Sequence, residues 1–143
     1  MPEMPPTAGE LARWLLANEV GERRSHEELT MAAIRIHEHL REHLAVFLGD
    51  QGFDALWTRA IHLTGRTFPW EGHSRGDASA PQHAIRVAVH GRDANQARAV
   101  LLTIFTHFFS VLFSFIGADL GLRLLHQRWP ALMASEHAEE ATQ

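Results

Sequence analysis

The feature that most constrains the fold is a long apolar segment in the C-terminal half of the chain. Residues 99–118, AVLLTIFTHFFSVLFSFIGA, contain no charged side chain. A helix needs about 20 mainly apolar residues to cross a bilayer, so this segment is either a membrane span or the central helix of a domain core. Arginine lies on both sides of it, at Arg98 and Arg123, whereas membrane helices are oriented by basic residues on one side. We therefore expect a buried core helix over about 94–117. The alternative is a single span, or an inserting helix, through 99–118.

Local signals predict further helices on both sides of this segment. In a capping box, one side chain caps the start of a helix and a Glu or Gln three residues later caps it in return. Three pairs have this spacing: Thr7 with Glu10, Ser25 with Glu28, and Asp93 with Gln96. Gly49 is expected to end the second helix and Pro130 the last one. A third helix is expected from about Gln51 to Thr64, and QHAIRVAVHG (82–91) is interpreted as a short helix.

These signals predict an all-α fold, a single-domain bundle of five or six helices over residues 1–143. The central helix would present a face rich in Phe and Leu to the core: Leu101, Phe105, Phe108, Leu112 and Phe115. The second helix would bury an apolar arc of Leu29, Ala33, Ile36, Leu40, Leu44, Phe47 and Leu48. The tail, residues 134–143, is expected to be frayed.

An irregular segment is predicted between the third and the short helix. Residues 65–81, GRTFPWEGHSRGDASAP, contain three Gly and two Pro, a composition that argues against regular structure. The segment also combines aromatic side chains with Arg, as interface hot spots do. The candidate partner-binding residues are Phe68, Trp70, His73 and Arg75. The competing interpretation is that Phe68 and Trp70 fold back and close the end of the bundle.

Composition excludes several classes of function. The chain has no cysteine, which removes disulfides, thiolate catalysis and cysteine-ligated zinc. A formal net charge of −4 gives no basic patch for nucleic acid. The thirteen basic residues are all Arg, which suggests a GC-rich bacterial genome. The first residues, MPEMPPTAGE, lack the apolar core of a secretory signal, so a cytoplasmic location is expected.

The chain is rich in histidine, with eleven residues of this type, and one pair has metal-ligand spacing. His39 and His43 bracket Glu42 in an HxxEH pattern, which is similar to the inverted zincin motif. Histidines at i and i+4 lie on one helical face and can share a divalent metal, with the Glu as base. No third ligand is identifiable from the sequence, and a chance match is the competing explanation.

Three other histidines are candidate cofactor ligands. His37 points into the apolar arc of the second helix, where the ordinary explanation is a buried neutral imidazole bonded to a carbonyl or carboxylate. A haem site needs histidines at a pocket lined by Phe, and His62 and His90 are placed on the third and the short helix. Together with Phe47, this order of elements resembles that of globins, without a diagnostic motif.

No catalytic constellation is apparent, so an enzyme is not favoured. The sequence therefore predicts a non-enzymatic helical binding or regulatory module that engages a protein partner and forms a homo-oligomer. A haem- or metal-binding sensor and a membrane-inserting protein are the two alternatives from other classes.

Overall fold

A computed structural model of the chain describes residues 7–20, 25–70 and 81–132, and the secondary structure in these ranges is helical, with no strand. The six helices are α1 (Ala8–Val20), α2 (His26–Leu48), α3 (Asp50–Thr67), α4 (Pro81–Val89), α5 (Ala94–Ile116) and α6 (Ala118–Arg128). The predicted all-α bundle is thereby confirmed. The tail 134–143 lies outside the described residues.

The predicted capping residues begin three of the helices. The Thr7 hydroxyl accepts a hydrogen bond from the Glu10 N–H at 3.1 Å, and the Ser25 hydroxyl accepts one from the Glu28 N–H at 3.2 Å. At the start of α5 the box is complete. Asp93 Oδ1 accepts from the Gln96 N–H at 2.8 Å, and Gln96 Oε1 accepts from the Asp93 N–H at 3.0 Å. Each cap satisfies a backbone donor that a helix start otherwise leaves unpaired.

The apolar helix α5 is the centre of the bundle. It packs against each of the other five described helices. Its fully buried side chains larger than alanine are Val100, Leu101, Ile104, Phe105, Phe108, Phe109 and Leu112. Burial of one such side chain contributes about 1.5–3 kcal/mol of transfer free energy. Packing against this helix therefore contributes much of the apolar burial that stabilises the bundle.

Helix α3 is longer than the sequence predicts. It continues past Thr64 to Thr67, and the Phe68 N–H donates to the Thr64 carbonyl at 2.9 Å to end it. Gly65 is an unfavourable helix residue on propensity alone, but it is buried, and packing overrides the propensity. The prediction of an irregular segment over 65–81 is therefore wrong at both ends, because α3 continues to Thr67 and α4 begins at Pro81.

Two pairs of helices are joined by a single glycine. Gly49 separates α2 from α3 with φ 81° and ψ 157°, and Gly117 separates α5 from α6 with φ 90° and ψ 150°. Only glycine occupies this backbone region readily. Each glycine N–H donates to the carbonyl four residues earlier, Ala45 or Phe113, at 2.7 and 2.8 Å. The predicted end of α2 at Gly49 is confirmed, and the central helix, expected over about 94–117, ends at Ile116 with Gly117 as its cap.

Candidate functional site

Ring contacts fix the relative direction of α3 and α5. The Phe53 ring centroid lies 5.3 Å from that of Phe108, and the Trp57 centroid lies 5.8 Å from that of Phe105. The later residue of α3 contacts the earlier residue of α5, so the two helices are antiparallel. The first turn of α3 therefore lies beside the last turns of α5.

Helices α2 and α6 reach the same end of the bundle. Gly49 joins the last turn of α2 directly to α3, and Gly117 joins the last turn of α5 directly to α6. The His43 ring nitrogen Nε2 lies 2.6 Å from the Leu124 carbonyl oxygen. A carbonyl can only accept, so this nitrogen carries the proton. One end of the bundle is thus built from two helix-to-helix junctions.

Three large apolar side chains are exposed at this end. Val46 is 89% exposed, Phe47 57% and Phe115 69%. They are the exposed large hydrophobic side chains among the described residues. We call these three residues the apolar end. Large apolar side chains exposed at one end of a folded protein are candidates for an interaction site.

The charged groups around the apolar end are mainly acidic. Glu42, Asp50 and Asp119 are exposed there, and Arg123 is the exposed basic residue on the neighbouring part of α6. Arg41 is held by α3. Its Nε and Nη2 atoms donate to the two carboxylate oxygens of Asp54 at 3.2 and 3.3 Å, and its Nη1 lies 3.7 Å from Asp50. Those bonds raise the pKa of the Arg41 guanidinium.

The sequence predicted burial for two of the three apolar-end residues, and that prediction is wrong. Phe47 lies on the apolar arc of α2 and Phe115 on the Phe/Leu face of α5, yet both are exposed. Each stands two residues before the glycine at which its helix ends. The last turn of each helix is covered on one side only, where Leu48 and Ile116 pack against the core, and the two Phe rings fall on the open side. An apolar stripe that runs to such a glycine junction is the sequence signal for this exposure.

The predicted partner-binding segment is only partly within the described residues. Phe68 and Trp70 are half-buried and pack against the core. Arg92 lies over the Phe68 ring at 5.7 Å and donates from Nη2 to the Pro69 carbonyl at 3.0 Å. This placement agrees with the competing interpretation, in which the segment closes part of the bundle. His73 and Arg75 lie outside the described residues.

His37 lies inside an aromatic cluster between α2, α3 and α5. It is 3% exposed, and its ring centroid is 4.5 Å from that of Trp57 and 5.5 Å from that of Phe53, both in edge-on arrangement. Neither ring nitrogen of His37 has a hydrogen-bond partner among the described residues, and Trp57 Nε1 also has none. The expected bond from His37 to a carbonyl or carboxylate is therefore not formed within the part of the chain that the structure describes.

The environment of His37 keeps its imidazole neutral. The pKa of His37 is lowered from 6.5 to about 4: burial is the largest cause, the Arg41 charge acts in the same direction, and the Asp54 charge opposes the shift. Burial also lowers the pKa of His107 on α5. A neutral imidazole has one N–H donor and one bare nitrogen acceptor, so His37 presents both functions to the core.

The other candidate histidines do not form a larger ligand group within the described residues. His62 and His90 are exposed, and His39 is half-buried, while the Nε2 of His43 is engaged by the Leu124 carbonyl. Across the described ranges no group of three or more His, Cys, Asp or Glu side chains is placed to hold a metal ion. The haem and metal assignments remain predictions.

Comparisons with known proteins give no relative: no known protein family, no curated protein and no solved structure is significantly similar to this chain. One described helix, α5, is long and apolar enough to cross a membrane, as the core helix of a globular protein also can be. The membrane alternative therefore also remains a prediction.

Proposed function

We propose that this chain is a non-enzymatic helical binding and regulatory module that engages a protein partner through its apolar end. The observation that carries the proposal is the exposure of Val46, Phe47 and Phe115 at one end of the bundle. Phenylalanine is enriched at protein interfaces relative to the rest of the surface. Exposing these side chains to water costs free energy that a partner would recover on binding.

The charges at this end favour a basic amphipathic helix as the occupant. Such a helix lays apolar residues at i, i+3, i+4 and i+7 into an apolar site and keeps its polar face outside. Its arginines or lysines would meet Glu42, Asp50 and Asp119, which are exposed around the apolar end. Complementary charge speeds association and selects against wrong partners.

The same charges disfavour two other occupants. A second copy of this chain would bring its own exposed acids against those of the first, and like charges at an interface cost free energy. An anionic membrane surface would be repelled for the same reason, because such membranes attract basic segments. The sequence nevertheless predicts a homo-oligomer, so self-association is the main competing outcome of the test.

The test is a calorimetric titration with a designed peptide of about 18 residues, long enough for about five helical turns. Leucines occupy the i, i+3, i+4 and i+7 positions and arginines the opposite face. We expect saturable binding to the wild-type chain. The double variant Phe47→Ser/Phe115→Ser should lose at least about tenfold in affinity, which corresponds to about 1.4 kcal/mol.

Two control peptides and one matched variant separate the contributions. A peptide with the same composition and scrambled leucines tests amphipathicity, and a peptide with glutamate in place of arginine tests charge. Leu63→Ser removes a half-buried apolar side chain from the other half of α3 and should bind as the wild type does. Equal binding by the double variant would refute the proposal, as would a wild-type dimer that the double variant abolishes.

A further inference from the structure

Helix α6 is joined to the rest of the bundle through a single residue. Gly117 lies between the last residue of α5 and the first residue of α6, with φ 90° and ψ 150°. Glycine has a wide range of accessible backbone conformations, so this junction alone leaves the direction of α6 open. The packing of α6 is mainly against α5 and α2. Contacts with these two helices therefore determine where α6 points.

Apolar contacts press α6 onto the bundle close to the junction. The backbone at Gly121 lies directly on α5, because a Cβ there would be 2.5 Å from ring atoms of Phe113. The side chains of Leu124 and Leu125 are buried. Apolar burial is non-directional, so these contacts draw α6 inward but do not by themselves fix its rotation.

One hydrogen bond between α2 and α6 adds direction. The ring nitrogen Nε2 of His43 donates to the Leu124 carbonyl at 2.6 Å. A hydrogen bond weakens steeply as it departs from linearity, so this bond restricts the rotation of α6. Leu124 follows Gly121 by three residues and lies on the same side of the helix. Helix α6 is thus held at two successive turns, against α5 and then against α2.

His43 also lies directly below the α2 part of the apolar end. Val46 and Phe47 follow it by three and four residues, and side chains at this spacing are neighbours on one helix face. Phe115 and Asp119 stand on either side of the Gly117 junction. The bond from His43 therefore connects the two parts of the chain that build the apolar end.

We propose that His43 is a positioning residue of the apolar end: its bond to Leu124 holds α6 in place and so sets Asp119 beside the apolar end. The part of this inference that concerns binding rests on the proposed function. An acid held there meets the basic residues of the partner helix, whereas an α6 that turned about Gly117 would carry that acid away. His43 acts through α6 and not by contact with the partner.

A second bond of the same kind provides a matched control. His26 is the first residue of α2, and its Nε2 lies 2.8 Å from the carbonyl oxygen of Val89, the last residue of α4. This bond also joins a histidine of α2 to the main chain of a short helix, but at the opposite end of α2 from the apolar end. Its loss should loosen α4 and leave α6 unchanged.

Amide hydrogen exchange of the full chain tests the His43 bond without a partner, because exchange reports local opening. In His43→Leu, which removes the donor, the amides of Leu124 and Leu125 should exchange about fivefold faster, the effect of one net hydrogen bond. In His43→Gln they should exchange as in the wild type. The side-chain amide of glutamine is a donor, and its Nε2 is as many bonds from the backbone as that of histidine. His26→Leu should speed exchange in α4 only.

The designed arginine–leucine peptide tests the consequence for binding. Its affinity should fall about threefold in His43→Leu and by a similar factor in Asp119→Asn, the size expected for one exposed charge pair. His43→Gln should restore wild-type affinity. The two losses should not add in the double variant His43→Leu/Asp119→Asn, because both changes act through the same charge. A general loss of stability would lower affinity whether or not that charge is present.

Three outcomes would count against this role of His43. Unchanged exchange in α6, or faster exchange spread over all helices whether or not the variant stays folded, overturns the assignment of the α6 position to His43. Faster exchange confined to α6 with unchanged peptide affinity overturns its role at the apolar end. A peptide that does not bind the wild type refutes the proposed function alone, and the exchange result then decides the role of the His43 bond by itself.

Discussion

Acidification should destabilise the fold through His37, and the size of the effect follows from its environment. The pKa of His37 is about 4 in the folded chain, against 6.5 for an unperturbed imidazole. Between these values the unfolded chain binds a proton that the folded chain does not. The free energy of unfolding therefore rises with pH through this window and falls as the solution is acidified from pH 7 toward pH 4.

The two pKa values set the size of this change in the free energy of unfolding. Between pH 7 and pH 5, the titration of His37 alone should lower the free energy of unfolding by about 2 kcal/mol. The full shift of its pKa corresponds to about 3 kcal/mol. The side chain is 3% exposed, so solvent screening does little to reduce this value. Arg41 and Asp54 are the charged groups that act on it, with opposite signs.

Urea unfolding at pH 7 and pH 5 measures the effect. His37→Phe keeps an aromatic ring against Phe53 and Trp57 but cannot titrate, so its stability should fall by about 2 kcal/mol less than that of the wild type over the same interval. His62→Gln removes an exposed histidine and should keep the wild-type pH dependence. Equal losses in the wild type and in His37→Phe would refute the assignment of the acid sensitivity to His37.

Three further predictions concern the helix junctions and caps. A Cβ at Gly121 would lie 2.5 Å from ring atoms of Phe113, so Gly121→Ala should destabilise the fold by about 1–3 kcal/mol in urea unfolding. Gly52→Ala is the control, because its Cβ would meet its nearest neighbour at 3.4 Å. This control should be neutral or stabilising by up to about 1 kcal/mol. Gly117→Ala places a side chain at φ 90° and should lower the thermal midpoint, at a cost of about 1–3 kcal/mol. Asp93→Ala removes the cap of α5 and should cost about 1 kcal/mol; no loss in thermal unfolding would contradict the role of the cap.

The helices were predictable because their limits are set by local chemistry. Thr7, Ser25 and Asp93 begin helices through side-chain bonds to residues three positions on, and Gly49 and Gly117 end them. These interactions depend on short-range spacing, which a sequence displays directly. The central place of α5 followed from its length and apolarity.

The candidate site was not predictable in the same way. Whether Phe47 and Phe115 are covered depends on where other helices end, which is a property of the tertiary arrangement. Periodicity assigns a side chain to a helix face but does not say whether another helix reaches that turn. The partners of His37 are likewise a long-range property, and the usual expectation of a bonded buried imidazole is not met by the described residues.

Binding of a basic amphipathic helix at the apolar end should be visible residue by residue. The most direct test is to map amide chemical-shift changes of the labelled chain as the designed arginine–leucine peptide is added. We expect changes concentrated in residues 42–52 and 111–120, around the two glycine junctions. Changes concentrated at residues 65–70, or spread evenly with no saturation, would contradict it.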